Sequence, residues 1–347
     1  MSKVSFACDY LEGAHERILR RMTETNLTQY PGYGEDEICS SAKEKIRQAI
    51  GCPDAVIHFL VGGTQVNALA IDALLTSYQG VLAPATGHIA LHEAGAIEAN
   101  GHKVITLPQN RGKISAADLK SHLVDFYHDE AHEHMVQPGM VYISQPTEYG
   151  TLYSLEELTA ISQVCREYQL PLYVDGARLA YALASPENDV TLPDLARLAD
   201  VFYIGGTKCG ALFGEALVIT DPARIRHLFT MVKQHGGLLA KGRLLGIQFD
   251  ELFANDLYLQ VGENAIRQAA RIRQALREHG WQEFFETPTN QIFVVVDNDL
   301  LPRFGQQIDY CFWEKYDETH TVIRLATSWA TTDAQVDALL QVLAALH

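Results

Sequence analysis

The sequence predicts an α/β fold, with a large domain on a mainly parallel sheet and a smaller α+β domain at the C-terminal end. Three observations predict it. Short apolar runs recur through the middle of the chain, separated by segments of helical length and spacing, which is the signature of βαβ units with both sheet faces covered. Beyond about residue 250 the pattern changes to a long helix followed by fewer, wider-spaced strands. The length of 347 residues corresponds to about two domains at roughly 150 residues each.

Taken in order, residues 55–61 (AVIHFLV) read as a strand that Gly62-Gly63 breaks. Thr64 then caps a helix to about Tyr78, with Val66, Leu69, Ala70, Ala73 and Leu74 at helical spacing. Residues 80–84 form a short strand, 88–100 a helix ended by Gly101, 103–107 a strand, and 116–123 the start of a helix. Residues 140–144 (MVYIS) are a strand, and Ser154 opens a helix to Tyr168 with Glu156 and Glu157 in its first turn, where acidic side chains suit the helix dipole. Further strands are expected at 171–174, 201–204 and 216–219. The C-terminal part reads as a long helix at 257–279, a strand at 292–296, a helix, a strand at 322–326 and a terminal helix at 333–346. The resulting division is an N-terminal segment, 1–45, packed on the small domain or on a neighbouring subunit, a large domain at 46–248 and a small one at 249–347.

Apolar residues make up 47%, charged residues 20% and aromatics 9%, the balance of a soluble globular chain long enough to bury its own core. The 27 basic and 43 acidic residues leave a formal net charge of −16. That charge argues against nonspecific binding to nucleic acid or to an anionic membrane, both of which need clustered positive charge. A small anionic ligand held by a few placed cations remains compatible with it. The six cysteines, Cys8, Cys39, Cys52, Cys165, Cys209 and Cys311, form no C-x-x-C pair, so reduced thiols in a cytoplasmic protein are expected, and no metal is. The N-terminus carries Asp9, Glu12 and Glu16 without a long apolar core, so no secretory signal is expected. No apolar run approaches about 18 residues, so no membrane-spanning helix is expected.

Several positions can carry chemistry. In YIGGTKCGALFG, Lys208 lies in a glycine-rich loop after a strand, at the sheet edge where open α/β folds bind ligands. A lysine there can form a Schiff base when its amine is made less basic; the plain alternative is a solvated surface lysine. In LPLYVDGARL, Asp175 ends an apolar strand at the same edge, where a protonated pyridine nitrogen would partner it; an Asp175–Arg178 pair or a helix cap is the plain alternative. Gly63 and Thr64 stand where a strand turns into a helix, the shape of a phosphate seat, or of a turn that is glycine-rich for packing alone. His88 lies at another such turn and can cover a planar cofactor, or simply face water. Arg324 interrupts an apolar strand and suits a carboxylate, unless its stem carries the charge out to solvent. His128 and His132 in HDEAHEHM have metal-ligand spacing but lack an indicated third ligand, so a solvated segment is expected there.

In this order GGT at 62–64, GHIALHEAGA at 87–96, VDGARL at 174–179 and GGTK at 205–208 resemble the low-specificity threonine aldolases, of the β-eliminating lyase group within the fold-type-I pyridoxal phosphate enzymes. The resemblance runs from YGEDE at 33–37 to the Arg324 strand. It implies the aspartate-aminotransferase-like fold and the cofactor pyridoxal 5'-phosphate. Lys208 would hold the cofactor as a Schiff base, Asp175 would pair with its ring nitrogen, Gly63 and Thr64 would bind its phosphate, and His88 would stack on its ring. Arg178 would lie near cofactor and substrate carboxylate, Arg324 would hold that carboxylate, and Lys241 would reach a neighbouring subunit's phosphate. The implied reaction is aldol cleavage of a β-hydroxy-α-amino acid such as threonine or allo-threonine to glycine and an aldehyde. A different fold-type-I reaction such as β-elimination, or a silent binding protein, is the alternative. His88, Glu148 or a water would take the hydroxyl proton. The likeness also implies a homodimer or homotetramer with shared active sites.

Two positions depart from the resemblance. Commoner bacterial members carry a His in a THNG-like segment where this chain has Glu148 in QPTEYGT, and a Ser precedes the N-terminal Asp where this chain has Cys8 before Asp9. Both positions border the substrate in the family, so they bear on substrate preference. A branch with Glu at the first position is similar to this chain.

Overall fold

The computed structural model describes residues 3–346. Among the described residues the largest sheet has seven strands. In spatial order they are Val56–Leu60, Glu215–Ile219, Val201–Gly205, Leu172–Asp175, Gln137–Ser144, Gln79–Pro84 and Lys103–Leu107. Neighbours pair in parallel except at Glu215–Ile219, which runs antiparallel to both of its partners. Along Val201–Gly205 the side chains alternate between the two sheet faces: Val201 and Tyr203 join one core, Phe202 and Ile204 the other. Both faces are therefore buried, which is why these strands read as unbroken apolar runs.

A second sheet pairs Cys311–Lys315, His320–Ala326, Gln291–Asp297 and Gln282–Glu283 in antiparallel order. The helices Leu257–Glu278 and Asp333–Leu346 supply its core with Ile272, Leu276, Val336 and Leu339. The chain start joins this sheet's surroundings: Val4–Ser5 pairs in parallel with Ile308–Asp309, and Ala326 N–H donates to the Phe6 carbonyl. Residues 7–10 are thereby led past the end of Gln291–Asp297 towards the large sheet.

The structure departs from the sequence reading chiefly in its helices. The helix after the first strand spans Gly63–Leu74 and not 64–78; its N-cap is Gly62 without a side-chain cap, so Thr64 lies inside the first turn. It ends early because Gln79 N–H turns back to the Thr76 carbonyl to start the next strand. The helix expected over 88–100 is two short ones, His88–Leu91 and Ala96–Ala99, parted by Ala94 and Gly95 at φ 52° and 72°. Among the helices not foreseen are Glu16–Glu24, Glu37–Ile50, Leu192–Leu198, Leu228–Gln234 and Arg243–Leu252. The polar run is largely exposed, as expected: His128 is the last residue of Ala116–His128, and His132–His134 form a separate turn.

Asp36 caps Glu37–Ile50 through the Cys39 amide at 2.9 Å, and the helix lies on Arg243–Leu252. The close approach requires glycine at 246, where a Cβ would stand 2.9 Å from Cys39 Cα. Gly246→Ala is expected to destabilise the fold by about 1–3 kcal/mol through overpacking. A urea titration checks it: the midpoint falls while the slope stays as in the parent.

Candidate active site

A cavity of about 290 Å³ opens at the carboxyl edge of the large sheet, with Gly63, Thr64, His88, Asp175, Arg178 and Lys208 in its wall. Lys208 sits in the loop that joins the antiparallel strands Val201–Gly205 and Glu215–Ile219. The loop is pinned across its base: Gly206 and Thr207 N–H both donate to the Gly214 carbonyl at 3.0 Å, and Gly214 N–H donates to Thr207 Oγ1 at 3.0 Å. Burial lowers the pKa of the Lys208 amine, and the Arg178 charge lowers it further. Its ammonium lies 5.9 Å from the centre of the Tyr10 ring, in cation–π range. Glu215, buried at the base of the loop, accepts from Gly206 N–H at 2.8 Å, and burial pushes its carboxyl up to about 7.

Asp175 is the last residue of the adjacent strand and is buried. Its Oδ2 accepts from Tyr142 Oη at 2.6 Å and Asn67 Nδ2 at 3.2 Å, and its Oδ1 accepts from Ala177 N–H at 2.9 Å. These donors are neutral, so no ion pair within the chain occupies the carboxylate that faces the cavity. The alternative of an Asp175–Arg178 pair is not realised, because Arg178 turns to Asp9.

Opposite lies the start of the helix Gly63–Leu74, whose first amides precede any intrahelical carbonyl partner; Val66 N–H makes the first such bond, to Gly62 at 3.1 Å. A Cβ at 63 would come within 3.1 Å of Tyr203 Oη, and the space beside Gly62 is open. Such a turn can seat an anion on its backbone N–H groups, favoured by the helix dipole.

His88 lies beside these groups, held twice. Its backbone N–H donates to Glu148 Oε1 at 2.9 Å, and its ring Nδ1 meets Glu93 Oε1 at 2.8 Å. Glu148 is buried and also accepts from Ser144 Oγ at 2.8 Å; its Oε2 has no partner among the described residues. Burial raises the Glu148 pKa, against the opposing pull of the Ser144 hydrogen bond, and the Asp175 charge adds to the rise.

The remaining wall joins the two sheets. Arg178 Nε and Nη2 meet Asp9 Oδ2 and Oδ1 at 2.6 and 3.0 Å, and Asn290 Nδ2 donates to the same carboxylate at 2.9 Å. Burial alone would raise the pKa of Asp9, but the charges of Arg178 and Lys208 prevail and hold it at about 2. Arg324 donates through Nη1 to Gln291 Oε1 and through Nη2 to the Ala7 carbonyl, each at 3.1 Å, and lies over the Trp313 ring at 5.5 Å. Its Nε is buried without a partner among the described residues. Cys8 is partly buried, between the residue that holds Arg324 and the residue that holds Arg178.

The structure brings Lys208, Asp175, Gly63, Thr64, His88, Glu148 and Arg178 around one cavity. Arg324 and Cys8 adjoin it through Tyr10, Ala7 and Asp9. Lys241 is exposed and is not in the wall of its own chain's cavity. Sequence reasoning missed Asn67, Glu93, Tyr142 and Glu215. Asn67 had a signal, as a polar side chain amid Val66, Leu69 and Ala70 on a buried helix.

The beta-eliminating lyase family matches residues 6–299 of the chain. A low-specificity L-threonine aldolase of Pseudomonas aeruginosa is 30% identical over 299 residues, which is 85% of each chain. The solved structure of Leishmania major threonine aldolase superposes with a TM-score of 0.95 at 42% identity, covering 99% of both chains. An aspartate aminotransferase variant of Thermus thermophilus, 13% identical with a TM-score of 0.70 over 99% of this chain and 92% of that one, shares the fold alone. The architecture is that of the fold-type-I enzymes.

The Asp9–Arg178 pair carries a pH dependence. The folded pKa of Asp9 lies below its unfolded value near 3.8, so its contribution is complete above about pH 4 and is lost as the pH falls through about 2. The contribution amounts to about 2 kcal/mol by linkage. Acid unfolding followed by circular dichroism should therefore steepen between about pH 4 and 2 in the parent and less so in Asp9→Asn. At neutral pH Asp9→Asn is expected to lose about 3–5 kcal/mol, because it strands a buried guanidinium.

Proposed function

The chain belongs to the beta-eliminating lyase family, and on that premise we propose that it cleaves a β-hydroxy-α-amino acid, threonine or allo-threonine, to glycine and an aldehyde with pyridoxal 5'-phosphate as cofactor. The observation that carries the reading is the convergence of three chemistries on one cavity: the less basic amine of Lys208, the neutral-donor-bound carboxylate of Asp175, and the free amides at the start of Gly63–Leu74. They fit the cofactor's aldehyde, protonated ring nitrogen and phosphate respectively, and His88 adds a planar imidazole to the same wall. When bound, the cofactor supplies an electron sink for the pair left at Cα.

The chain's own residues do the rest. The depressed pKa leaves more of the Lys208 amine as the free base, the form that attacks a carbonyl. Asp175 keeps a ring proton in place. The unpaired Nε of Arg324 and the guanidinium of Arg178, fixed by Asp9, receive the substrate carboxylate. On the other side His88, Glu148 or a water takes the β-hydroxyl proton. The hydroxyl oxygen becomes the carbonyl of the leaving aldehyde as the Cα–Cβ bond breaks, and a proton delivered to Cα completes glycine.

Cys8 and Glu148 border the substrate end of the site and set which side chain is accepted. A homodimer or homotetramer with shared active sites belongs to the same reading, with the exposed Lys241 available to a neighbouring subunit's phosphate. So does a cytoplasmic location; among the described residues no helix is long and apolar enough to cross a membrane.

Incubation with L-threonine or L-allo-threonine tests the reaction: glycine and acetaldehyde are expected, whereas ammonia and a keto acid would replace cleavage by elimination. Lys208→Ala is expected to abolish both turnover and the borohydride-sensitive visible band that the parent forms with pyridoxal 5'-phosphate. Asp175→Ala should bind some cofactor and lose on the order of 10²–10³-fold in kcat, the scale of removing one electrostatic stabiliser. A parent-like rate in that variant would remove Asp175 from the chemistry.

A further inference from the structure

We propose that Glu93 is the positioning residue of His88: it fixes the proton on Nδ1 so that Nε2 presents a lone pair to the cavity, making His88 the group that takes the substrate's hydroxyl proton. The inference rests on the reaction proposed above and names the base that the reading leaves open.

Glu93 lies five residues beyond His88, in the break between His88–Leu91 and Ala96–Ala99. Its side chain is wholly shielded from solvent (0% exposed), while that of His88 is 36% exposed at the cavity wall. Glu93 Oε1 meets His88 Nδ1 at 2.8 Å and accepts from Asn67 Nδ2 at 2.7 Å. An ionised carboxylate only accepts, so the imidazole nitrogen facing it carries the hydrogen. In the neutral ring the other nitrogen, Nε2, is then the acceptor. Among the described residues Nε2 makes no hydrogen bond.

The orientation of Asn67 follows from the same reasoning. Its Nδ2 lies between two carboxylates, Glu93 and Asp175 Oδ2 at 3.2 Å, and its Oδ1 accepts from Tyr173 Oη at 2.7 Å. Only this way round does each amide hydrogen find an acceptor. One buried side chain thus links the carboxylate that orients His88 to the carboxylate at the end of the central strand.

Glu148, the competing base, is engaged at Oε1 and unpartnered at Oε2, and burial shifts its carboxyl towards the protonated form, which takes no proton. Its Oε1 accepts from the His88 backbone and from Ser144, so it anchors the main chain of His88 while Glu93 anchors the ring. The fold gives up helix continuity for this arrangement: Ala94 takes a left-handed φ of 52°, which a residue with a Cβ adopts at a cost. A carboxylate held fully out of water is also costly unless it is hydrogen-bonded. Both features are explained by a need for an acceptor behind His88.

The test reads the tautomer directly. Two-bond ¹H–¹⁵N correlation spectra of ring-¹⁵N-histidine protein, with and without cofactor, assign His88 by the signals that disappear in His88→Asn. The parent is expected to show His88 as the Nδ1–H form in mildly alkaline buffer; the Nε2–H form overturns the proposal without any variant at Glu93. Glu93→Leu, which removes the acceptor, is expected to lose the Nδ1–H preference and about 10²–10³-fold in kcat, with KM within about threefold. Glu93→Gln, which keeps a carbonyl, should regain at least about tenfold of that loss. An unchanged tautomer or a kcat within about threefold of the parent in Glu93→Leu overturns it. If Glu93→Leu does not fold, a cycle of Glu93→Gln with His88→Asn decides: coupled losses support the proposal and independently multiplying losses overturn it. A parent that releases no glycine from threonine defeats the proposed reaction alone, since the tautomer is read without turnover.

Discussion

Residues 206–214 join two neighbouring strands of the large sheet, and a connection that short cannot cross over to a parallel partner, which takes about a dozen residues or more. Glu215–Ile219 must therefore return antiparallel, as it does against Val201–Gly205. The loop that makes this return is left standing at the carboxyl edge of an otherwise parallel sheet. Lys208 is on that loop, and Asp175 is the last residue of the next strand. The helices Gly63–Leu74 and His88–Leu91 start at the same edge, each soon after a strand has ended, and Gly63, Thr64 and His88 at their starts line the cavity. The cavity is the place where one antiparallel turn and several parallel strand ends meet.

Concentrating charge at that edge raises a desolvation problem, and the chain resolves it differently at each group. Asp9 and Arg178 cancel each other in a bidentate pair. Asp175 is held by a phenol and two amides that carry no charge, so its hydrogen-bond partners supply no counter-charge. Glu148 is only half satisfied, with two donors on Oε1 and none on Oε2, and burial shifts it towards its neutral form. Lys208 has no carboxylate within ion-pairing range among the described residues, and burial favours its free amine. These solutions sort the groups chemically: a spent pair that sets geometry, an anion kept for a cation, a carboxyl whose pKa is raised, and a nucleophile.

The strands of the large sheet were legible because burial on both faces writes them as continuous apolar runs, as in residues 171–174 and 201–204. Lys208 and Asp175 were legible for a related reason, being charges placed where those runs stop. The partners were not. Arg178 finds Asp9 at a separation of 169 residues and Asn67 finds Asp175 at 108, and nothing local in the sequence encodes either pairing. The helix break at 94–95 was hidden because helical spacing on its two sides is in phase, so only the inward turn of Glu93 reveals it. Glu37–Ile50 was the avoidable miss. Asp36 followed by Ile38, Ala42, Ile46 and Ile50 is an N-cap before a four-residue apolar repeat.

The site is also a joint between the two sheets. Arg178 follows a strand of the large sheet, Arg324 lies on the antiparallel one, and Asp9 comes from a segment led in by the pairing of Val4–Ser5 with Ile308–Asp309. Asn290, at the start of Gln291–Asp297, bonds to Asp9 and to the Thr327 carbonyl, so the carboxylate that orients Arg178 is itself held from the antiparallel side. The donors that face a substrate carboxylate are thus fixed by elements that share no strand. Any relative shift of the two sheets changes the spacing between those donors before it disturbs Lys208 and Asp175, which belong to one sheet. The part of the site suited to the cofactor is built on one sheet, and the part suited to the amino acid depends on how the two sheets are docked.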